Sequence, residues 1–238
     1  MKHVKITTLL FLSLVLALSI DSALRATDQP SQEPEERKPA QVMGVGGAIW
    51  LEREGRETEE RPDLVIEAMQ LKETDVIADI GCGSGFFTRR LAPHVPKGKI
   101  YAIDIQPGMI ELLKRNIEKE KMTNVIPAVN DEDDPKLPKA QVDWLLLVDV
   151  YHEFQNPKPM LQKMLDSLSP TGKVALVEYR LENDTAAHIK KEHRMTVKQV
   201  LSEWNPAGFE LIDLIETLPS QHIFIFHKRP DYSATVKN

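Results

Sequence analysis

This sequence has very little cysteine and no excess of positive charge. Only Cys82 among its 238 residues is a cysteine, which excludes an internal disulfide and any site built from several thiolates. Its 30 lysines and arginines are outnumbered by 36 aspartates and glutamates, which gives a formal net charge of -6. Nucleic acids and anionic lipids bind basic surfaces, so neither is expected as a partner. A small molecule or another protein is the partner that this composition favours.

One long apolar run is present, and it lies near the start of the chain. Residues 9–20 follow a basic start and end at Asp21, a layout that predicts a signal peptide over residues 1–26. Cleavage is expected after Ala26 or among the small residues at 19–23. A helix of this length reaches about 20 Å, short of the roughly 30 Å hydrocarbon layer, so no stable membrane insertion is expected after leader cleavage. We expect an exported protein, periplasmic or secreted, or a cytoplasmic one if the leader is not used.

Two segments of unusual composition follow the leader. Residues 27–41 contain three prolines and many charges but no aromatic residue, which predicts a disordered linker. Residues 42–60 begin rich in glycine and then become rich in glutamate and arginine. They predict an N-terminal lid in which Trp50, Arg53 and Arg56 cover a ligand or grip an acidic substrate. A solvated, charged helix with one packed tryptophan is an equally good interpretation.

The rest of the chain divides into a main domain, residues 61–229, and a C-terminal tail, residues 230–238. With 42% hydrophobic residues, a chain of this length can bury one sizeable core. In the main domain, short apolar runs alternate with stretches of helical periodicity, which is typical of a doubly wound α/β fold. The last two predicted strands alternate around a tight turn and form an antiparallel pair. The seven predicted strands are residues 76–79, 99–104, 124–129, 142–148, 173–179, 209–217 and 222–227.

Three glycines follow the first predicted strand. Asp79, Gly81, Gly83 and Gly85 form a D-x-G-x-G-x-G pattern, which predicts a tight turn from a buried strand into a helix. A turn without side chains lets a ligand approach the backbone closely. A dinucleotide-binding loop needs G-x-G-x-x-G, but Phe86 stands where its third glycine would be. The spacing therefore opposes a nicotinamide-dependent oxidoreductase.

The second predicted strand also ends in an acid, which lies 25 residues after Asp79. This acid is Asp104, and Ile105 follows it. In doubly wound folds a carboxylate at this position accepts hydrogen bonds from both ribose hydroxyls of a nucleotide-type ligand. Alternatively, Asp104 caps the helix that begins near Pro107.

These two motifs resemble those of class I S-adenosylmethionine-dependent methyltransferases, especially the methyltransferase type 11 and quinone C-methyltransferase-like group. The glycine pattern is similar to the family's first motif, and residues 104–109 look like its D-x-x-x-x-M segment. The resemblance covers residues 61–229 and implies a Rossmann-like seven-stranded sheet, mostly parallel, with a closing antiparallel strand. It also implies the cofactor S-adenosyl-L-methionine. The cofactor-binding residues that it implies are Asp79, Gly81, Gly83, Gly85, Asp104, Ile105 and Asp131.

Asp131 is included because it follows the third predicted strand. In the family, a polar residue just after this strand contacts the adenine amino group, and Asp131 occupies that position. The surrounding acidic loop, residues 130–134, is equally well explained as a solvated loop.

Titratable residues follow the fourth predicted strand, where a sheet of this kind faces its ligand. We predict His152 as the catalytic proton acceptor, since an imidazole titrates near neutral pH, with Tyr151 and Asp149 beside it. A base is needed only if the methyl acceptor must lose a proton. The alternative is that His152 is a hydrogen-bonded structural residue.

Two further segments, residues 178–180 and 192–195, are candidates for the wall of an acceptor pocket. Their acidic and histidine side chains, with His152 and Glu153, suggest a set of metal ligands. The spacing of these residues matches no ligand motif, however, so no metal is predicted.

The sequence therefore predicts an S-adenosylmethionine-dependent methyltransferase that acts on an unidentified small molecule. It lacks the Asn/Asp-Pro-Pro-Tyr segment that is typical of amino-group methylation of bases and glutamine, which favours a carbon or oxygen acceptor. The alternative is a secreted S-adenosylmethionine-binding or catalytically inactive protein of the same Rossmann-like fold. The oligomeric state is left open.

Overall fold

The computed structural model describes residues 38–230 and residue 232. The predicted signal peptide, the predicted linker up to residue 37, and all of the predicted tail except residues 230 and 232 lie outside this part. Seven α-helices occur in the described part: α1 Ala48–Leu51, α2 Arg56–Glu60, α3 Pro62–Met69, α4 Phe86–Leu91, α5 Pro107–Lys119, α6 Pro157–Ser167 and α7 Val197–Trp204. The strands there are β1 Val76–Ile80, β2 Lys99–Asp104, β3 Val125–Val129, β4 Val142–Val148, β5 Leu168–Arg180, β6 Arg194–Met195, β7 Phe209–Ile215 and β8 Gln221–Lys228.

The strands form one mixed sheet with the order β3-β2-β1-β4-β5-β8-β7. The first five of these strands are parallel, and β8 runs antiparallel to both β5 and β7. The expected Rossmann-like sheet, mostly parallel with a closing antiparallel strand, is confirmed. The two-residue β6 pairs with the end of β5 and is an eighth strand that the sequence did not predict. A strand this short carries no readable alternation.

The centre of the sheet is buried on both faces. Along β4, Leu146 packs in one hydrophobic cluster, while Leu145 and Leu147 pack in the cluster on the opposite face. All three side chains are fully buried, as the continuous apolar run of a covered parallel strand requires. Burying one such leucine contributes about 1.5–3 kcal/mol, so the central strands are a rigid support for the loops at their carboxyl ends.

The element boundaries follow local sequence signals closely, with one large difference at β5. Thr196 precedes α7, and its Oγ1 accepts a hydrogen bond from the Gln199 N–H at 3.0 Å, which caps the start of the helix. Strand β5 begins at Leu168, five residues before the predicted start. Its pairing with β4 is irregular between Val142 and Trp144, and this irregularity accommodates the extra residues of β5.

The N-terminal end of the described chain packs on the main domain. Ala40, which lies in the predicted linker, is buried, and its N–H donates to the carbonyl oxygen of His152 at 3.0 Å. Packing therefore begins before residue 42. In the described part of the chain, no helix is both long and apolar enough to cross a lipid bilayer.

Candidate active site

A cavity of about 650 Å³ opens at the carboxyl ends of the parallel strands. This is the edge where an open α/β sheet binds its ligands. The N-terminal segment, residues 42–60, forms part of its wall through Val42, Met43, Trp50 and Leu51. Eight of the residues predicted for the site line this one cavity: Asp79, Gly81, Gly83, Asp104, Ile105, Asp131, Asp149 and His152.

The glycine turn and the acid at the end of β2 are tied together. The Gly83 N–H donates to Oδ2 of Asp104 at 3.0 Å, and the Gln106 N–H donates to Oδ1 at 2.8 Å. Gly81 and Gly83 have φ of 72° and 53°, a left-handed conformation that suits glycine. Burial raises the pKa of Asp104, and its two backbone hydrogen bonds oppose this. Each carboxylate oxygen keeps a second lone pair for a ligand hydroxyl.

Gly85 does not line the cavity, in contrast to the other two glycines. Its φ is 91°, and a Cβ at this position would collide with Leu113 of α5. The residue lets the chain enter α4 and lets α5 pack closely. The structure therefore gives Gly85 a packing role and does not support direct cofactor contact by it.

Asp79 lies at the end of β1 under the turn. Its carboxylate is buried and accepts a hydrogen bond from the Thr88 hydroxyl at 2.5 Å. Burial raises the pKa of Asp79 to about 6, while the Thr88 hydrogen bond acts in the opposite direction.

The lid segment is fastened to the glycine turn. Glu52 accepts a hydrogen bond from the Ser84 hydroxyl at 2.6 Å and forms an ion pair with Arg89. The guanidinium groups of Arg53 and Arg56 both pair with Glu60 at 2.9 Å. Because these arginines are already paired, the structure does not support a grip on an acidic substrate by them, and the lid role is the one that fits the geometry.

Two buried acceptor atoms on the cavity wall have no hydrogen-bond partner within the described residues: Oδ1 of Asn130 and Oδ1 of Asp149. The other oxygen of Asp149 accepts from Nε2 of Gln221 at 2.7 Å, and burial raises the pKa of this carboxyl well above its ordinary value. Asp131, by contrast, is exposed and forms an ion pair with Lys136 at 2.7 Å. The prediction for the adenine contact therefore fits Asn130 better than Asp131, because the buried unpaired acceptor belongs to Asn130.

His152 lies on the cavity wall in a chain of hydrogen bonds. Its Nδ1 lies 2.6 Å from Oε2 of Glu178, and its Nε2 lies 3.0 Å from Nδ1 of His193. Both His152 and Glu178 are buried. Burial lowers the pKa of His152, but the charge and hydrogen bond of Glu178 outweigh this, so its pKa is raised overall. The fold thus brings together three residues that the sequence placed in separate candidate segments.

Tyr151 is not part of the cavity wall, and the geometry does not support its predicted role as a catalytic residue. Its ring is fully buried in the hydrophobic cluster that also contains Leu145 and Leu147, packed edge-on against Trp204 at 5.2 Å between centroids. The hydroxyl donates to Glu203 at 2.5 Å. The short 3₁₀ turn Tyr151–Glu153 explains this, since neighbouring residues of such a turn point in different directions.

Comparison with known proteins identifies the family. A family profile described as a methyltransferase domain matches residues 71–219, which is more than half of the chain. The chain belongs to this methyltransferase family. The class I, S-adenosylmethionine-dependent assignment made from the glycine and Asp104 motifs is confirmed.

Curated relatives and solved structures agree with this assignment. An uncharacterized methyltransferase-like protein of Schizosaccharomyces pombe is 30% identical over 129 residues, which are 54% of this chain and 47% of that protein. Protein-L-isoaspartate O-methyltransferase of Pyrococcus horikoshii is 28% identical over 131 residues, 54% of this chain and 56% of that protein. The methyltransferase described here thus spans about half the length of the curated relatives it matches. A SAM dependent methyltransferase from Aquifex aeolicus has the same fold, with a TM-score of 0.73 and 24% identity over 78% of this chain and 98% of that one.

The cavity of the methyltransferase fits S-adenosylmethionine, the cofactor that this family uses. The cofactor carries N–H donors on its adenine and on its amino-acid end, and the cavity wall offers unpaired acceptors on Asn130 and Asp149. Buried acceptors are stable when such donors reach them. Asp104, with a free lone pair on each oxygen, would hold the ribose hydroxyls.

Sequence reasoning missed Asn130. It grouped His152 with Glu178 and His193 only as residue types that suggest metal ligands, and it predicted no contact between them. Asn130 directly precedes Asp131, and the sequence carries no signal that one is buried and the other exposed. The residues of the His152 chain lie 26 and 41 positions apart, so only the strand order of the sheet brings them together.

Proposed function

We propose that this protein transfers the methyl group of S-adenosylmethionine to a carbon or oxygen atom of a small molecule that lies against His152. The observation that carries the proposal is the single cavity that joins the glycine turn to the His152 and His193 pair. A cofactor at the turn and an acceptor at the histidines would share one enclosed space.

Most of the rate is expected from positioning. Bound S-adenosylmethionine supplies an electrophilic methyl group on its sulfonium. The protein's part is to hold the acceptor atom in line with that methyl group and to exclude water. Orientation alone can supply about 7–11 kcal/mol of a barrier when both reactants are held in a near-attack geometry. The lid, fastened through Glu52 to Ser84 and Arg89, closes the cavity above the glycine turn and keeps water out.

We assign to His152 the role of contacting and activating the methyl acceptor. Glu178 is acceptor-only when ionised, so Nδ1 of His152 carries the proton in their 2.6 Å hydrogen bond, and the lone pair of Nε2 is directed at Nδ1 of His193, 3.0 Å away on the cavity wall. Once the His193 proton is displaced, the lone pair of Nε2 can bind the group that activates the acceptor, whether this is the acceptor's own proton or a cation. Asp149 lines the same cavity, and its Oδ1 has no partner among the described residues, so it is the second group that we place near the acceptor.

The proposal is tested by calorimetric titration of the full-length protein with S-adenosylmethionine and S-adenosylhomocysteine, with NADH as the control ligand. We expect saturable binding of the first two and none of NADH. Asp104→Ala should lower the affinity by at least about 10-fold, since it removes charge-assisted hydrogen bonds to the ribose. Asp133→Ala changes an exposed acid outside the cavity wall and should leave the affinity as it is.

A well-folded protein that binds neither sulfur compound would contradict the proposal. Unchanged affinity in folded Asp104→Ala would remove Asp104 from the site. Once binding is established, turnover is measured with a panel of hydroxyl, enol and activated-carbon acceptors, and His152→Asn should lose turnover while its cofactor affinity is kept.

A further inference from the structure

Three side chains on the cavity wall, all of types that bind metal ions, lie close together. His152, Glu153 and His193 each present one ligand atom, and these atoms all lie within 4.8 Å of one another. All three residues line the cavity. They come from the turn after β4 and from the segment just before β6, and the parallel pairing of β5 with both β4 and β6 brings these two segments together.

The distance between the two imidazoles suits a shared ion. Nε2 of His152 and Nδ1 of His193 are 3.0 Å apart. Two nitrogens bound at about 2.1 Å to one ion, at octahedral to tetrahedral angles, lie about 3.0–3.4 Å apart. A Glu153 oxygen lies within 4.8 Å of both nitrogens, so a shift of at most about 1.5 Å would bring it to ligand distance.

An outer shell already orients the first ligand. Metal-bound histidines usually donate their second N–H to a carboxylate, which fixes the tautomer and the ring orientation. Glu178, fully buried on β5, takes that position at 2.6 Å from Nδ1 of His152. Oε1 of Glu153 accepts the Met43 N–H at 3.2 Å, so the lid segment holds the third ligand.

The charge of the surroundings favours a cation. Seven acidic side chains line the cavity, against one arginine and one lysine.

We propose that His152, Glu153 and His193 bind a divalent first-row transition-metal ion, such as zinc, with an open coordination position that faces the methyl acceptor. Two nitrogens and one carboxylate suit zinc and its neighbours, whereas magnesium and calcium require oxygen ligands. The ion takes the place of the proton that joins the two imidazoles in its absence.

The role of the metal toward the acceptor rests on the proposed function, because it assumes that a methyl acceptor binds beside His152. A hydroxyl or enol that binds at the open position loses its proton to solvent more easily, because the ion stabilises the oxygen anion. The acceptor class is therefore an oxygen group able to bind the ion.

The test is metal binding by the full-length protein, purified without a histidine tag. Zinc is titrated by calorimetry, and cobalt(II) serves as an optical probe of the coordination sphere. We expect one ion per chain, with the d–d absorption of a low-coordinate cobalt site that contains nitrogen ligands. His193→Asn should weaken binding at least about 10-fold, and Glu178→Gln about 10- to 100-fold, as the loss of an outer-shell partner does elsewhere.

His188→Asn is the matched control. His188 lines the same cavity but lies outside the ligand group, with its ring 6.2 Å from that of Tyr179. It should bind zinc as the wild type does. His193 is only half-buried, so its variant tests the site even if changes at the buried His152 prevent folding.

Binding of S-adenosylhomocysteine is measured on the same samples. Wild-type protein that binds this compound but not zinc or cobalt would overturn the metal site and leave the proposed function standing. Zinc binding that is the same in wild type and His193→Asn would also overturn it. Failure to bind the sulfur compound would count against the proposed function alone, because the metal titration does not depend on it.

Discussion

At the residue scale, burial on the cavity wall shifts the pKa of one carboxyl group and leaves two other oxygen atoms without a partner among the described residues. Asp79 has a carboxyl whose pKa burial raises to about 6, and the groups that face it are the Thr88 hydroxyl, the Asp104 carboxylate and the Arg56 guanidinium. Asn130 and Asp149 each keep a buried oxygen without a partner among the described residues. Such groups are stable only if the rest of the fold holds them, which is typical of a binding site.

The first prediction concerns Asp79 and the dependence of stability on pH. Its pKa is higher in the folded protein than the ordinary value of 3.8, so the folded state binds the extra proton between pH 4 and 6. The free energy of unfolding should therefore fall as the pH rises through this window, by up to about 3 kcal/mol from this group. Asp79→Asn keeps an acceptor for Thr88 but cannot ionise, so it should not show this loss. Urea denaturation of both proteins at several pH values measures the difference, and parallel curves would contradict the assignment.

The second prediction separates Asn130 from Asp131. Asn130→Ala removes a buried acceptor on the cavity wall and should weaken S-adenosylhomocysteine binding about 3- to 10-fold, the range of one net hydrogen bond. Asp131→Ala removes an exposed carboxylate that pairs with Lys136 and should have little effect. Calorimetry on the two variants decides between them. A larger loss in Asp131→Ala would restore the assignment made from the sequence.

At the element scale, the three glycines of the turn have different tasks. Gly81 and Gly83 line the cavity, whereas Gly85 sits where α4 begins and faces Leu113 of α5. All three have positive φ, so a side chain is strained at each of them. A side chain at Gly81 or Gly83 would also affect ligand binding, whereas a side chain at Gly85 would affect only the packing of α4 and α5.

The third prediction uses this difference. Gly85→Ala should lower the free energy of unfolding by about 2–4 kcal/mol, because it combines left-handed strain with a collision against Leu113. The folded fraction should still bind S-adenosylhomocysteine. Gly81→Ala should lose both stability and affinity. Gly46→Ala is the control, since a Cβ there meets nothing within 4 Å. Thermal unfolding and calorimetry on the three variants test the division, which fails if folded Gly85→Ala loses binding as Gly81→Ala does.

At the scale of the whole molecule, the strand order places the site. Strands β1, β2, β4 and β5 are neighbours in the sheet, so the loops after them meet at one edge. The antiparallel β8 covers the other side of β5 and also supplies Gln221, whose amide donates to Asp149 at 2.7 Å. The closing strand thus takes part in building the site.

The fourth prediction concerns localisation, which we propose to be outside the cytoplasm on the basis of residues 1–26. A bacterial host expressing the full chain should yield a processed form whose first residue is Thr27, or one that begins after a small residue at 19–23. N-terminal sequencing of protein from the cytoplasmic and exported fractions measures this. Recovery of only the unprocessed chain from the cytoplasm would show that the leader is not used.

The sequence by itself determined the fold class and the identity of the cofactor. Glycines, an acid at each of two strand ends and apolar strands are local features, and backbone geometry ties them to one structure. The tertiary structure alone decided that Tyr151 faces the core, that Asn130 is buried beside an exposed Asp131, and that His152 meets Glu178 and His193. These outcomes depend on which face a side chain takes and on contacts across strands far apart in the chain. Neither leaves a periodic or spaced signal in the sequence.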